Sequence, residues 1–238
     1  MPVNLKNQVV LVVGASSGIG RETAVLFAKE GARVMAAARR EDRLRALKEE
    51  YPSIETAVAD AASPAAMERL AAETTGRLGP IDILVYNTGT NIKDRALSRL
   101  NPGLWDMMLT TNLNGAYYIT HAVLPGMRER KAGHIIFVAS ISGIVPDVSG
   151  AAYQASKRGL IGLAHAIRVE ERENGIRTCA ICPGLVETEI LEKRPVKPPP
   201  EMLAKALQPG DVAEAIIAVA KLPVRVAIPE LQILPTVL

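Results

Sequence analysis

The sequence predicts an α/β fold, a parallel sheet of about seven strands with helices on both faces. Two observations carry this expectation. Short apolar runs rich in β-branched residues alternate with stretches of helical spacing along almost the whole chain, and such alternation builds a parallel sheet. The first of these runs, Gln8–Val13, feeds a glycine turn, Gly14-Ala-Ser-Ser-Gly18-Ile-Gly20, that opens directly into a helix.

Strands are expected near 8–13, 32–37, 54–59, 81–86, 133–139, 176–182 and 226–234, and helices near 18–30, 41–50, 64–78, 102–130, 151–174 and 210–220. Residues 8–13 are long enough for a buried strand and too short for a membrane span. Arg21–Glu30 has helical spacing, Gly31 ends it, and Ala32–Ala38 reads as the second strand. Bare backbone at the glycines and a helix N-terminus can receive a pyrophosphate. The spacing Gly-x3-Gly-x-Gly differs from Gly-x-Gly-x-x-Gly, and a plain tight turn closing the unit remains the alternative. The patch Arg194-Pro-Val-Lys-Pro-Pro-Pro200 cannot continue a helix. A semi-rigid extended loop fits it, as a lid or as a surface connector.

Composition narrows the function. A chain of 238 residues with 48% hydrophobic content can bury one substantial core, so residues 1–238 are expected to form a single domain. The net charge of +3 is interspersed, and aromatics at 3% leave little for base stacking, which argues against nucleic-acid binding. No apolar run reaches the roughly 18 residues of a membrane helix, and the N-terminus lacks a signal-peptide pattern; a soluble cytoplasmic protein is expected. Cys179 and Cys182 lie in a strand-like run, where residues three apart are on the order of 10 Å apart and on opposite faces. They read as buried thiols, with no disulfide and no four-ligand zinc set. No metal is expected.

Chemistry is concentrated in Ser140 and in Tyr153-Gln-Ala-Ser-Lys157. On a helix, positions i and i+4 share a face, so Lys157 stands beside the Tyr153 ring and its field favours the phenolate. A phenol so tuned, next to a hydroxyl, can trade a proton with an alcohol or a carbonyl. Tyr-x-x-x-Lys alone names no reaction.

Taken together, Gly14-x3-Gly18-Ile-Gly20, Asn112, Ser140, Tyr153-x3-Lys157 and Pro183-Gly184 occur in the order and spacing of the short-chain dehydrogenases/reductases. The chain resembles that family from about residue 5 to its C-terminus. The resemblance implies a Rossmann-type doubly wound sheet of strand order 3-2-1-4-5-6-7 and a nicotinamide cofactor. It implies that Tyr153 is the general acid in reduction and the general base in oxidation, with a pKa lowered by Lys157 and the oxidised nicotinamide. Ser140 would position the substrate oxygen, Lys157 would also bind the nicotinamide ribose, and Asn112 would hold a water linking Lys157 to solvent. Asn112 alone also fits a helix kink or a backbone-bonding role.

Cofactor choice follows from charge. In NAD-binding relatives an acidic residue ends the second strand; here Ala38 stands there, followed by Arg39 and Arg40. Guanidinium groups offer a 2′-phosphate paired, charge-assisted hydrogen bonds. NADP(H) is therefore expected, with Arg39 the main contact and NAD(H) the alternative if both arginines only begin a solvated helix. Ser16 and Ser17 fill the turn where some NADP-binding relatives carry a basic residue. The glycine turn with Ile19, and Asp60 with Ala61 at the adenine, complete the first half of the expected site. Tyr86-Asn87-Thr88-Gly89 stands where the family usually has Asn-Asn-Ala-Gly, so Asn87 and Gly89 carry over. Pro183, Gly184, Val186 and Thr188 match the segment that meets the carboxamide. For Asp60, an ordinary strand-end cap is the other reading.

His121, His134 and His165 have no metal spacing and receive no role. Trp105 and Met107-Met108 read as packing or interface. In this family the helix after Pro102 and the helix carrying Tyr153 commonly build a dimer interface, often in a tetramer; Gly159, Gly162 and Ala164 would permit close approach, so a homo-oligomer is expected. Residues 188–208 should cover a small or medium carbonyl or alcohol substrate, and residues 141–150 should form a mostly apolar wall with Asp147 as its only charge. The C-terminal region is similar to that of relatives acting on small alcohols, 3-hydroxy acids or their ketones. Two other classes share the fold: halohydrin-dehalogenase-like lyases, which replace the lysine and disrupt the glycine turn, and non-catalytic dinucleotide sensors.

Overall fold

A computed structural model describes residues 1–237 of the chain. β1 (Val9–Val13) and β2 (Arg33–Ala38) flank helix α1 (Gly18–Lys29), and α2 (Glu41–Glu50), β3 (Ile54–Val58), α3 (Pro64–Leu78) and β4 (Ile83–Tyr86) follow. The second half holds α4 (Pro102–Leu109), α5 (Gly115–Arg130), β5 (Gly133–Val138), α6 (Ala151–Glu170), β6 (Ile176–Pro183), α7 (Pro200–Leu203), α8 (Pro209–Lys221) and β7 (Glu230–Ile233). All strands pair parallel in one sheet of order β3-β2-β1-β4-β5-β6-β7, as expected.

Period-two alternation divides the core. Val9, Leu11 and Val13 face a layer with Met67, Leu70, Ile119 and Leu160, while Val10 and Val12 face Val25, Phe27, Leu44 and Ile216. β1 is buried throughout because helices cover both its faces. Each such buried Val or Leu contributes about 1.5–3 kcal/mol. Ser63 caps α3 by accepting from the Ala66 N–H at 3.2 Å, with Pro64 behind it.

Three expected elements differ in extent. The helix over 102–130 is interrupted by a π turn at Thr110–Asn114. There Gly115 must pass under the Tyr86 side chain, and a Cβ on it would lie 2.6 Å from the Ala61 carbonyl oxygen. The helix over 151–174 stops at Glu170, and a short 3-10 turn ends on Gly175 at φ +67°. The strand over 226–234 shrinks to Glu230–Ile233, since Pro229 precedes it and has no N–H to donate. In the proline patch, Pro200 becomes the first residue of α7.

Candidate active site

The strand order reverses between β1 and β4, and there the carboxyl ends of the strands open a crevice. A cavity of about 510 Å³ occupies it, long enough in residues to run from Arg39 at one end to Arg95 and Arg194 at the other.

At the cofactor end, Gly14 has φ +93° and a Cβ there would lie 2.8 Å from the Thr88 N, so only glycine fits. Asn87 Nδ2 donates to the Gly14 carbonyl at 3.1 Å and braces the turn. Ser17, the residue before α1, makes no side-chain cap, which leaves the first-turn N–H groups available to an anion. Gly14, Ser16, Ser17, Gly18 and Ile19 line the cavity with Arg39, Arg40, Ala61, Asn87 and Gly89; Pro183, Gly184, Val186 and Thr188 close the far wall. This cradle fits a dinucleotide: bare glycine backbone, uncapped helix N–H groups and two guanidiniums at one end.

Three expected contacts are not on that wall. Gly20 seats α1 on β1, where any Cβ would strike the Gly14 carbonyl. Asp60 is exposed and accepts from the Ala62 N–H at 3.0 Å, a strand-end cap in geometry. Asn112 is fully buried. Its Oδ1 accepts from the Thr90 N–H at 2.7 Å, and its Nδ2 donates to the Thr90 carbonyl and to Ser156 Oγ, both at 3.0 Å. The side-chain amide is thus consumed by structure, which is the backbone-bonding alternative.

The two arginines also divide differently from expectation. Arg39 makes no hydrogen bond or ion pair among the described residues and is exposed. Arg40 arches over the turn, donating to Ser17 Oγ at 2.6 Å and Ser16 Oγ at 3.0 Å. It also reaches Glu189 at 2.7 Å, whose carboxyl is held below the usual range chiefly by that guanidinium.

At the reaction end, α6 presents Tyr153 and Lys157 on one face, with the ammonium 5.7 Å from the ring centroid. Lys157 is buried and donates to the Val138 carbonyl at 2.9 Å. Gly89 permits its approach, since a Cβ there would lie 3.1 Å from Nζ. Burial pushes the Lys157 pKa down to about 8. In the protein without cofactor, burial raises the Tyr153 pKa and the Ser140 hydroxyl works against that rise. Loss of hydration is the largest of these influences. Ser140 itself is buried, its Oγ accepting from the Ser142 N–H at 3.1 Å.

The wall over 141–150 is more polar than expected. Ser142, Asp147 and Ser149 line the cavity, while Val148 points to solvent at 89% exposure. Glu189, Lys193 and Arg194, within the 188–208 segment, also line it, as do Thr90, Asn91 and Arg95 after β4, which the sequence reading did not single out. The charged run Lys93-Asp-Arg95, placed just beyond a strand's carboxyl end, was the available signal for Arg95.

Remote groups behave as packing. Cys179 and Cys182 are free and buried, their thiols pushed up to about 12 and about 11 by burial. His134 is buried and held down to about 3 by burial and Arg177. No helix among the described residues is long and apolar enough to cross a membrane.

Known proteins place this architecture. A family model described as short chain dehydrogenase matches residues 8–198. An NADP-dependent 3-hydroxy acid dehydrogenase, YdfG of Salmonella typhi, is 35% identical over 95% of this chain and 94% of its own length. The closed form of a serine dehydrogenase complexed with NADP+ superimposes with a TM-score of 0.87 at 35% identity, covering 95% of this chain and 94% of that one. A variant actinorhodin polyketide ketoreductase with NADPH gives 0.88 at 33% identity, covering 99% and 98%. With the sheet order, the glycine turn and the Ser-Tyr-Lys arrangement in place, the chain belongs to the short-chain dehydrogenase family and is an oxidoreductase.

Proposed function

We propose that the protein interconverts a secondary alcohol and a carbonyl compound with NADP(H). The observation that carries this is the single cavity in which the arginine-rich dinucleotide cradle runs into Ser140, Tyr153 and Lys157. NADP(H), when bound, supplies or accepts the hydride. Arg39 and Arg40 would hold its 2′-phosphate, the glycine turn and α1 its pyrophosphate, and Lys157 a ribose. Similarity to an NADP-dependent dehydrogenase and to structures bound to NADP+ and NADPH supports this choice over NAD(H).

Ser140 orients the substrate oxygen, and the Tyr153 hydroxyl delivers a proton to it in reduction or removes one in oxidation. Lys157 adds a positive charge whose burial is tolerated because Val138 accepts from it. Asn112 acts by fixing the strand-end loop at Thr90 against the π turn. An intact glycine turn and Lys157 disfavour the dehalogenase reading, and a complete Ser-Tyr-Lys set disfavours a pure sensor.

The whole chain is read as one unit, with residues 188–208 as its cover. Exposed Met107, Tyr117 and Val169, on α4, α5 and α6, support a homo-oligomer through those helices, with the cytoplasm as its compartment. Fluorescence titration with NADPH and NADH tests the cofactor. Tighter NADPH binding that Arg40→Ala weakens supports the assignment, and preference for NADH overturns it. Light scattering giving a 25 kDa monomer at micromolar concentration would overturn the oligomer.

A further inference from the structure

The wall facing Tyr153 carries more positive charge than catalysis of a neutral carbonyl requires. Arg95 is only 9% exposed. Its stem packs on Gly150, the residue before α6, where a Cβ would lie 2.7 Å from Arg95 Cβ. Its Nε donates to the Ile92 carbonyl at 3.0 Å and its Nη2 to the Lys193 carbonyl. A guanidinium has five N–H donors, and the remainder find no protein acceptor among the described residues.

The cover brings two further cations to the same cavity. Lys193 Nζ rests on Thr90 Oγ1 at 2.6 Å, and Arg194 forms no ion pair among the described residues. Among the described residues Asp147 is the one carboxylate on this part of the wall, and its field favours the Arg95 cation. It already accepts from the hydroxyls of Ser142 and Ser149 and from the Ser149 N–H. Arg95 lies close enough to Arg194 for repulsion to add to burial in lowering its pKa, and both arginines draw the Tyr153 pKa downward. A buried cation with spare donors is costly unless an anion joins it.

We propose that Arg95, with Lys193 and Arg194, forms a carboxylate subsite, so that the substrate is a small oxo acid reduced to its hydroxy acid. This rests on the carbonyl–alcohol reading of the same cavity. The planar fork of Arg95 matches a carboxylate's two oxygens, and its packing against the start of α6 fixes the distance from that anion to Tyr153. The carboxylate anchors and orients; hydride and proton still go to the carbonyl carbon and oxygen. Lys193 and Arg194 sit on the cover, so the same anion draws the cover down over the reacting group.

The test compares acetoacetate with methyl acetoacetate as substrates with NADPH, in the wild type, Arg95→Gln and the double variant Lys193→Gln/Arg194→Gln. The wild type should favour the acid in kcat/KM by about tenfold or more, because a site built for a charged partner rejects the analogue lacking it. Each variant should lower that acid-to-ester ratio, Arg95→Gln by at least about tenfold. The double variant, on the exposed cover, keeps the test open if Arg95→Gln misfolds. Malonate titrated into the NADP+-loaded protein reads the subsite without turnover, and both variants should weaken its binding. Equal use of acid and ester, with malonate binding that neither variant weakens, overturns the proposal. Malonate binding that depends on Arg95, with neither carbonyl compound consuming NADPH, upholds the subsite and sinks the carbonyl-reduction reading.

Discussion

Arg40 and Glu189 meet at 2.7 Å, joining the end of the second strand to the segment after β6 across the mouth of the cavity. The same guanidinium touches both serines of the glycine turn. At the opposite end, Arg95 holds the Lys193 carbonyl and Lys193 holds Thr90. The start of the proposed cover is thus held at two points, at Glu189 over the cofactor cradle and at Lys193 over the proposed substrate pocket.

With Arg40 as the proposed 2′-phosphate contact, Glu189 would compete with that phosphate for the guanidinium. Both side chains are over 40% exposed, so the pair contributes about 0–1 kcal/mol. Glu189→Gln should therefore tighten NADPH binding by roughly two- to fivefold and leave NADH binding unaltered, as read by fluorescence titration. Weaker NADPH binding in that variant would show that Glu189 supports the cradle instead.

Tyr153→Phe removes the proton donor and keeps the ring. Turnover should fall by about 10²–10⁴-fold while the NADPH dissociation constant stays within about twofold. Unchanged turnover would remove Tyr153 from the mechanism.

The direction of proton transfer at Tyr153 fixes the sign of the pH response. Oxidation needs the phenolate, so its kcat/KM should climb about tenfold per pH unit on the acid side of the Tyr153 pKa. Reduction needs the phenol and should be flat at neutral pH, falling only in alkali. An oxidation rate independent of pH between 6 and 9 would contradict the assignment.

Lys157 titrates at about 8 in the fold, below its ordinary value of about 10.4. Between those values the unfolded chain binds more protons, so stability rises with pH across that window, by at most about 3 kcal/mol. The penalty is fully present below about 8. Urea midpoints at pH 8 and pH 10 should differ more in the wild type than in Lys157→Met, and equal differences would refute a depressed Lys157 pKa.

Tyr86 replaces the usual asparagine of the family pattern, and its hydroxyl donates to the Thr111 carbonyl at 2.6 Å. Tyr86→Phe leaves that buried carbonyl in the π turn without its partner, at a cost of about 1–3 kcal/mol. Urea denaturation should show the loss, and a midpoint at the wild-type value would mean the turn is held by Asn112 alone.

The strand positions, most helix boundaries and the Ser140-Tyr153-Lys157 spacing were legible because each rests on local pattern. Apolar runs, glycines at turns and i, i+4 spacing are written within a few residues of one another, and the family's spacing supplied the strand order. The π turn at Asn112 was not legible, since it depends on Gly115 passing under Tyr86, a residue on another element. Nor was the Tyr153 pKa: neighbouring charge can be read from i, i+4 spacing, but desolvation is a property of the packed interior. Charge in the sequence pointed to arginines at the end of the second strand. Only the tertiary structure decided that Arg40 is tied to Glu189, 149 positions away, and that Arg95, buried beside Gly150, shares the cavity with Tyr153 and has donors to spare. Such pairings form where loops from separate strands converge at the carboxyl edge of the sheet, and no local stretch of chain contains both partners.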